Sequence, residues 1–463
     1  MSSQPNVVFI LMDDMGWTDL SCYGSDFYET PNLDSLAGES MRFTDAYAAC
    51  PVCSPTRASI MSGKYPARLG LTNYISGHGH QDRARLIDAP YVPELSLDET
   101  SLAATLSDNG YNTWHIGKWH LGEDCPPEQH GFDENVGGCG WGMPMNGYFS
   151  PYDIPAIENG PDGEYLTDRL TNEAIDLIRN NDEPPFFLNL WYYSVHIPIE
   201  AKPELIEKYE HKARAMGLDQ VKTFEEGEVH PKSETVNKRV RRRLVQSDPV
   251  YAAMIESVDN NIGQLLDVLE EEGELDDTII IFTSDNGGLN TAEGSSTCNA
   301  PLSDGKGWMY EGGTRAPLFI RYPGTTEPNS ICRAPVTSTD FYPTLLDMLD
   351  IDAMPDQHCD GVSLVPLLEG ERDLKREAIF WHYPHYGEQG GTPGSSVRMG
   401  DWKLIEFYED GRLELYNLRE DISEDNNLAA ARPELTQQLH QKLKNWREEM
   451  EALEPRPNPD WPW

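Results

Sequence analysis

Three stretches of this chain are apolar almost without interruption and stop abruptly at polar, chemically capable residues. Asn6–Met12 runs into Asp13-Asp14, Phe186–Tyr192 into Ser194-Val195-His196, and Thr278–Thr283 into Ser284-Asp285-Asn286. A strand that is apolar on both faces belongs in a parallel sheet covered by helices on each side. Such sheets bind ligands beyond the carboxyl ends of their strands. A fourth stretch, Tyr111–Ile116, delivers Lys118 and His120 in the same way. Helical segments lie between the strands. Thr30-Pro31 opens one to about Glu39, Ser101–Asn109 closes at Gly110, Glu164–Asn180 is amphipathic, and Asp248-Pro249 caps one that ends near Gly273. The alternation persists to about residue 350 and predicts a doubly wound α/β domain.

After residue 376 the pattern changes. Ala378–His382, Val397-Arg398, Trp402–Phe407 and Arg412–Tyr416 read as short strands with tight turns, and Pro433–Glu451 as a polar helix. The expected architecture is therefore a large domain over 1–376, with a mostly parallel central sheet and helices on both faces. A small α+β unit over 377–463 follows, an antiparallel sheet with one packed helix. The tail from Pro455 is expected at the surface. Residues 211–247 are polar, with the basic run Lys238–Arg243. This reads as a solvated helix face, with attraction of an anionic substrate as the alternative.

Charge narrows the partners. The chain has 36 basic and 78 acidic residues, a net charge of −42. Nucleic acid needs a basic face and is excluded. An anionic substrate is repelled at long range, so its site must supply local cations. Setting Cys53 aside, seven irregularly spaced cysteines remain of eight, which does not read as a disulfide framework. No basic segment or cleavage site precedes Val7, and the apolar run there is too short to cross a membrane. The expected location is cytoplasmic, without a membrane partner, although a trimmed secreted form would read the same way.

The strand ends collect three carboxylates, Asp13, Asp14 and Asp285, and the amide of Asn286. These are hard oxygen ligands, suited to calcium or magnesium rather than zinc. A second candidate is the stretch Cys53-Ser54-Pro55-Thr56-Arg57-Ala58-Ser59-Ile60-Met61-Ser62-Gly63, which turns helical after Arg57. Cys53 then sits at or just before a helix N-terminus, where free N–H groups and the helix dipole favour an anion. With Arg57 close behind, this predicts an acidic, accessible thiol. The alternative is a buried cysteine packing as a small apolar side chain.

That stretch resembles the signature of the type I sulfatases, Cys-x-Pro-x-Arg followed by an apolar pair and a glycine, with Ser62 where the family more often has threonine. Gly110-Tyr111-Asn112-Thr113-Trp114-His115-Ile116-Gly117-Lys118-Trp119-His120 resembles a second signature of the same family. The resemblance extends from Asn6 to the C-terminal region. It implies the alkaline-phosphatase-like fold and a formylglycine made from Cys53 by a formylglycine-generating or anaerobic sulfatase-maturating enzyme. It implies one calcium ion on Asp13, Asp14, Asp285 and Asn286. Arg57 would hold the formylglycine hydrate, and Lys118 and Lys306 the sulfate oxygens. Asp285 would take a proton from the attacking hydroxyl, His196 would give one to the leaving oxygen, and His120 would deprotonate the second hydroxyl to expel sulfate.

The implied activity is hydrolysis of a carbohydrate sulfate ester, of glycosaminoglycan or galactose/N-acetylgalactosamine type. The alternatives are an aryl or steroid sulfatase or a phosphonate monoester hydrolase on the same fold, and a non-catalytic sulfate-ester binding protein with Cys53 unconverted. Candidate sugar contacts are His78 and His80 after the Cys53 helix, and His382, His385 and Arg398 near the C-terminus. Ordinary loop packing is the alternative for these.

Overall fold

The computed structural model describes residues 4–77, 84–182, 185–231 and 238–461. In chain order, the strands used below are β1 (Asn6–Met12), β2 (Met41–Phe43), β3 (Asn112–Gly117), β4 (Glu134–Val136), β5 (Phe186–Trp191), β6 (Phe224–Val229), β7 (Arg239–Arg243), β8 (Thr278–Ser284), β9 (Leu318–Arg321) and β10 (Ser330–Cys332). Eight of them form one sheet in the order β10-β2-β9-β8-β1-β5-β3-β4. Strands β8, β1, β5, β3 and β4 are parallel, while β9 runs against both its neighbours.

The sheet is buried on both sides, as the unbroken apolar runs require. Val8, Ile10 and Met12 of β1 join one core with the helices α2 (Leu166–Arg179) and α3 (Pro249–Glu271). Val7, Phe9 and Leu11 join the opposite core with α1 (Cys53–Ser62) and α4 (Phe341–Met348). Each such side chain contributes about 1.5–3 kcal/mol of burial. The expected cap of α3 is present: the Asp248 carboxylate accepts from the Val250 and Tyr251 amides at 3.0 and 3.3 Å. The expected cap at Thr30 is not, because its hydroxyl donates to the Asp34 side chain instead.

The basic run is not a helix face: it forms β7, paired with β6 in an antiparallel hairpin. Val240 and Arg243 are buried while Arg239 and Arg241 are exposed, so the run is not a uniformly solvated face. The C-terminal antiparallel sheet is as expected, with strands β11 (Ile379–Tyr383), β12 (Gly394–Met399), β13 (Trp402–Phe407) and β14 (Leu413–Asn417). The helix α5 (Pro433–Glu449) covers one face through Leu439, Leu443 and Trp446. The other face packs Trp381, Tyr383, Ile405 and Phe407 against Tyr47, Cys50, Val52 and Met309, next to the start of α1. The tail pairs Arg456–Pro457 with Leu86–Ile87 at the surface. All eight cysteines are free. Among the described residues, no helix is long and apolar enough to cross a membrane.

Candidate active site

Strand register decides where the chemistry collects. Met12 lies beside Ser284, and Trp191 beside both Leu11 and Gly117. The carboxyl ends of β1, β3, β5 and β8 are therefore level, and the residues after them emerge at one sheet edge. Backbone hydrogen bonds continue past the strands: Lys118 N to the Trp191 carbonyl (2.7 Å), Asp13 N to the Ser194 carbonyl (3.0 Å) and Asp285 N to the Met12 carbonyl (3.1 Å). Gly117 makes the first of these possible. It has φ +101°, and a Cβ there would lie 2.0 Å from the Trp191 oxygen. Asp14 and His120 adopt left-handed backbone without being glycine, at φ 62° and 58°. That costs roughly 1–2 kcal/mol each and aims both side chains at the same small volume.

The volume holds three acids and three permanent cations, all buried. Lys118 Nζ meets Asp13 at 2.6 Å, Lys306 Nζ meets Asp14 at 2.8 Å, and the Arg57 guanidinium meets Asp285 at 2.8 Å. Arg57 also donates to the Lys118 carbonyl (2.7 Å) and lies 5.2 Å from the Trp191 ring centroid. Burial pushes the Asp13 carboxyl up to about 8 despite Lys118. Burial also acts on Asp14, but Lys306 outweighs it, and Asp14 is held well below the usual carboxylate range.

Two buried oxygens in this cluster accept from no donor, Asp13 Oδ1 and Asn286 Oδ1. The Asn286 amide nitrogen donates to Asp14 (2.8 Å) and to the Gly287 carbonyl (2.9 Å), so its oxygen is the unused atom. Unsatisfied buried acceptors are costly, and hard oxygen donors of this kind fit a divalent cation such as calcium. Asp13, Asp14 and His196 each offer a ligand atom within 4.8 Å of one another. Asp285 Oδ1 accepts from the Asp14 amide (3.3 Å), which brings all four expected ligands together.

Cys53 is the first residue of α1, as expected. It is not the acidic, accessible thiol that its position suggested. It is 2% exposed, and burial pushes its pKa up against the opposing fields of Lys118 and Lys306. Burial removes the water that would solvate a thiolate, and the helix terminus does not replace it. As translated, residue 53 is a neutral thiol.

His120 Nδ1 lies 3.3 Å from Cys53 Sγ. Its Nε2 meets the Ile75 carbonyl, which only accepts, so the proton of the neutral ring is on Nε2 and the Nδ1 lone pair faces residue 53. Burial, with Lys118 second, holds this ring well below its ordinary pKa. Gly142 lies against the ring: a Cβ there would approach Cε1 to 2.7 Å. His196 Nδ1 donates to the Ile197 carbonyl (2.9 Å), and Nε2 accepts from Lys306 Nζ (2.9 Å). Burial, followed by Lys306, lowers its pKa to about 3, so the ring is neutral and its 3.5 Å approach to Asp14 is not an ion pair. His196 Nε2, expected to supply a proton to the leaving oxygen, instead accepts from the Lys306 ammonium.

The candidate sugar contacts do not join this group. His382 is buried between Ser395 Oγ (2.7 Å) and the Leu453 carbonyl (3.0 Å). Arg398 pairs with Asp45 at 2.7 Å and bonds the Tyr47 hydroxyl. His385 is buried against Thr72 (2.9 Å) and the Tyr91 ring. His78 and His80 lie outside the described residues. The Ile75 carbonyl, the Trp191 ring and Gly142 are parts of the site with no signal in the sequence, because each acts through backbone or packing rather than reactive chemistry.

Comparison with known proteins agrees with this geometry. Residues 5–351 match the family model "Sulfatase", and residues 304–449 match "N-sulphoglucosamine sulphohydrolase, C-terminal". A sulfatase of Formosa agariphila is 32% identical over 96% of this chain and 89% of its own. An N-acetylglucosamine-6-O-sulfatase of Bacteroides thetaiotaomicron is 29% identical over 96% of this chain and 88% of its own. The crystal structure of Ps i-CgsB in complex with k-i-k-neocarrahexaose superposes with a TM-score of 0.76 at 26% identity, covering 96% of this chain and 92% of that one. A formylglycine and a metal ion are general to this family, and the cysteine and open oxygen set stand where both would be needed. The chain belongs to the sulfatase family, the sulfuric ester hydrolases of the alkaline-phosphatase-like fold.

Proposed function

We propose that this enzyme removes sulfate from a sulfated carbohydrate, using a formylglycine derived from Cys53 and a calcium ion held by Asp13, Asp14, Asp285 and Asn286. One observation carries the reading: two buried, unsatisfied oxygens stand in a ring of three cations around residue 53. When present, the formylglycine supplies a hydrated aldehyde, one hydroxyl of which attacks sulfur while the second lets sulfate leave. When bound, the metal neutralises sulfate charge and lowers the pKa of the attacking hydroxyl.

The remaining work falls to the chain. Lys118 and Lys306 grip sulfate oxygens, because positioning and charge stabilisation dominate transfers of this type. Arg57, fixed by Asp285 and the Trp191 ring, presents positive charge to residue 53. The Nδ1 lone pair of His120 takes the proton from the second hydroxyl. Lys306, which donates to His196 Nε2 across 2.9 Å, carries the proton for the leaving oxygen, and His196 orients that ammonium. Cys53 is 2% exposed, so the maturation enzyme must act before the chain folds.

The carbohydrate substrate rests on the relatives: one is named for N-acetylglucosamine 6-O-sulfate, and another is solved with a neocarrahexaose. The test is a panel of sulfated sugars, aryl sulfates and phosphonate monoesters offered to matured enzyme. The highest kcat/KM is expected on a sugar sulfate. Hydrolysis of only aryl sulfates or phosphonates would overturn the substrate class.

A further inference from the structure

The loop after Asn286 turns back beside Lys306, whose amide donates to the Gly288 carbonyl at 3.1 Å. At its tip four successive residues, Ala292, Glu293, Gly294 and Ser295, are all left-handed, at φ 55°, 42°, 95° and 49°. Three of them are not glycine, a conformation that persists only where the surroundings enforce it. Here the surroundings do. From one side β7 clamps the loop: Arg242 bridges to Thr291, Arg243 donates to the Ser295 carbonyl, and Ser295 Oγ donates to the Arg241 carbonyl (3.1 Å). From the other side comes Gln389, in the connection between β11 and β12, 3% exposed. Its carbonyl accepts from Thr291 Oγ1 (2.7 Å) and Trp308 Nε1 (3.2 Å), and its side-chain amide donates to Glu293 Oε2 at 2.8 Å.

The result is an exposed carboxylate held in one place by a buried amide. Among the described residues no cation pairs with it. Gln389 also packs over Gly307, where a Cβ would lie 2.5 Å from its Oε1, so the amide that holds Glu293 sits against the residue that follows Lys306. Lys306 in turn bonds His196, and Glu293 is exposed beside the segment that carries Lys306. A carboxylate there is an acceptor only. It binds hydroxyl donors and repels anions.

We propose that Glu293 is a specificity-determining residue: it accepts hydroxyls of the sugar beside the scissile sulfate and excludes a second anionic group from that position. This rests on the carbohydrate reading above, and the experiment separates the two. The substrates are the best monosulfated sugar from the panel and its analogue carrying an additional sulfate on a neighbouring ring position, offered to matured wild-type enzyme and to Glu293→Gln. Glutamine keeps the shape and the contact with Gln389 and removes the charge. The wild-type enzyme should prefer the monosulfated sugar, and the variant should lose roughly ten-fold of that preference through KM, the scale of one like-charge contact at a partly solvated rim. The wild-type preference should also weaken with salt, whereas that of the variant should not. An unchanged preference with unchanged salt dependence overturns the proposal. If the wild-type enzyme hydrolyses aryl sulfates but no sugar sulfate, the carbohydrate reading has failed by itself. The same comparison on aryl sulfates with and without a ring carboxylate then decides: a ten-fold shift supports charge exclusion by Glu293, and no shift overturns it.

Discussion

The molecule contains two buried clusters with the same formal charge balance, and only one of them is a site. At the strand ends Asp13, Asp14 and Asp285 face Arg57, Lys118 and Lys306. Under the C-terminal sheet Glu311, Glu424 and Asp45 face Arg315, Arg398 and Lys403. In the second cluster both Glu311 oxygens are engaged, one by Lys403 (2.9 Å), the other by the Tyr47 hydroxyl and Arg315 (2.7 Å each). Glu311 is held well below its usual range because Lys403 and Arg315 outweigh burial, and burial pushes Glu424 up to about 7. Glu424 Oε1 also accepts no hydrogen bond, but Lys403 Nζ lies 2.9 Å from it, against 3.9 Å from Arg57 to Asp13 Oδ1, and the cluster fastens β13 to the segment that carries Lys306. The first cluster leaves Asp13 Oδ1 and Asn286 Oδ1 without donors and sets a thiol and two neutral histidines beside them. Buried charge marks a site when its coordination is incomplete.

The sharpest way to break this contrast is Asp14→Ala. It should abolish metal binding and lower kcat/KM by at least about a thousand-fold, beyond the loss of a single oxyanion donor. Metal content and kinetics of the matured variant check this, and full activity in exhaustively chelated wild-type enzyme would contradict it. Lys403→Met should act on the other cluster. It removes the cation from Glu424 and from one Glu311 oxygen in the interior and should destabilise the fold by about 3–5 kcal/mol, with metal content unchanged. Denaturant unfolding reads the first and metal analysis the second, and wild-type stability would show that the closed cluster does not fasten the sheet. Lys118→Ala and Lys306→Ala should each cost about 2–4 kcal/mol of transition-state stabilisation. A wild-type kcat/KM on a good substrate in either variant would remove that lysine from the sulfate grip.

The smallest effect concerns pH. Burial lowers the His382 pKa to about 4, against about 6.5 in an unfolded chain. Between those values the unfolded state binds a proton that the folded state does not. Stability is therefore full above the upper value and falls as pH drops through the window, by up to about 1.4 kcal/mol per pH unit. His382→Gln should reduce the acid slope of stability, measured by unfolding from pH 6.5 to 4.5. An unaltered slope would mean that the ring titrates alike in both states.

Much of this was legible before any coordinates. β1, β5 and β8 announce themselves because strands buried on both faces have no polar side to disguise them, and their register makes the residues that follow them neighbours. Other features were hidden for physical reasons. β7 reads as a charged helix face because Arg242 and Arg243 spend their charge inside, on Asp304 and on the Ser295 carbonyl. The burial of Cys53 depends on His120 and Ile75, which arrive from distant segments. His382 and Arg398 look like surface chemistry but are satisfied interior polar groups, and a polar residue's sequence context does not reveal its partners. The Glu311–Lys403 pair joins segments with no local pattern in common.

Residue 53 should work only after oxidation. A neutral buried thiol is a poor nucleophile, and a thiolate attacking sulfur would leave an adduct with no easy exit, whereas a geminal diol can collapse and eject sulfate. Specific activity should be measured against the formylglycine fraction at position 53, found by peptide mass spectrometry, across preparations made with and without a maturation system. A straight line through the origin is expected, with unconverted enzyme folded and inert. Substantial activity at zero conversion would contradict it and remove the roles given to Arg57 and His120.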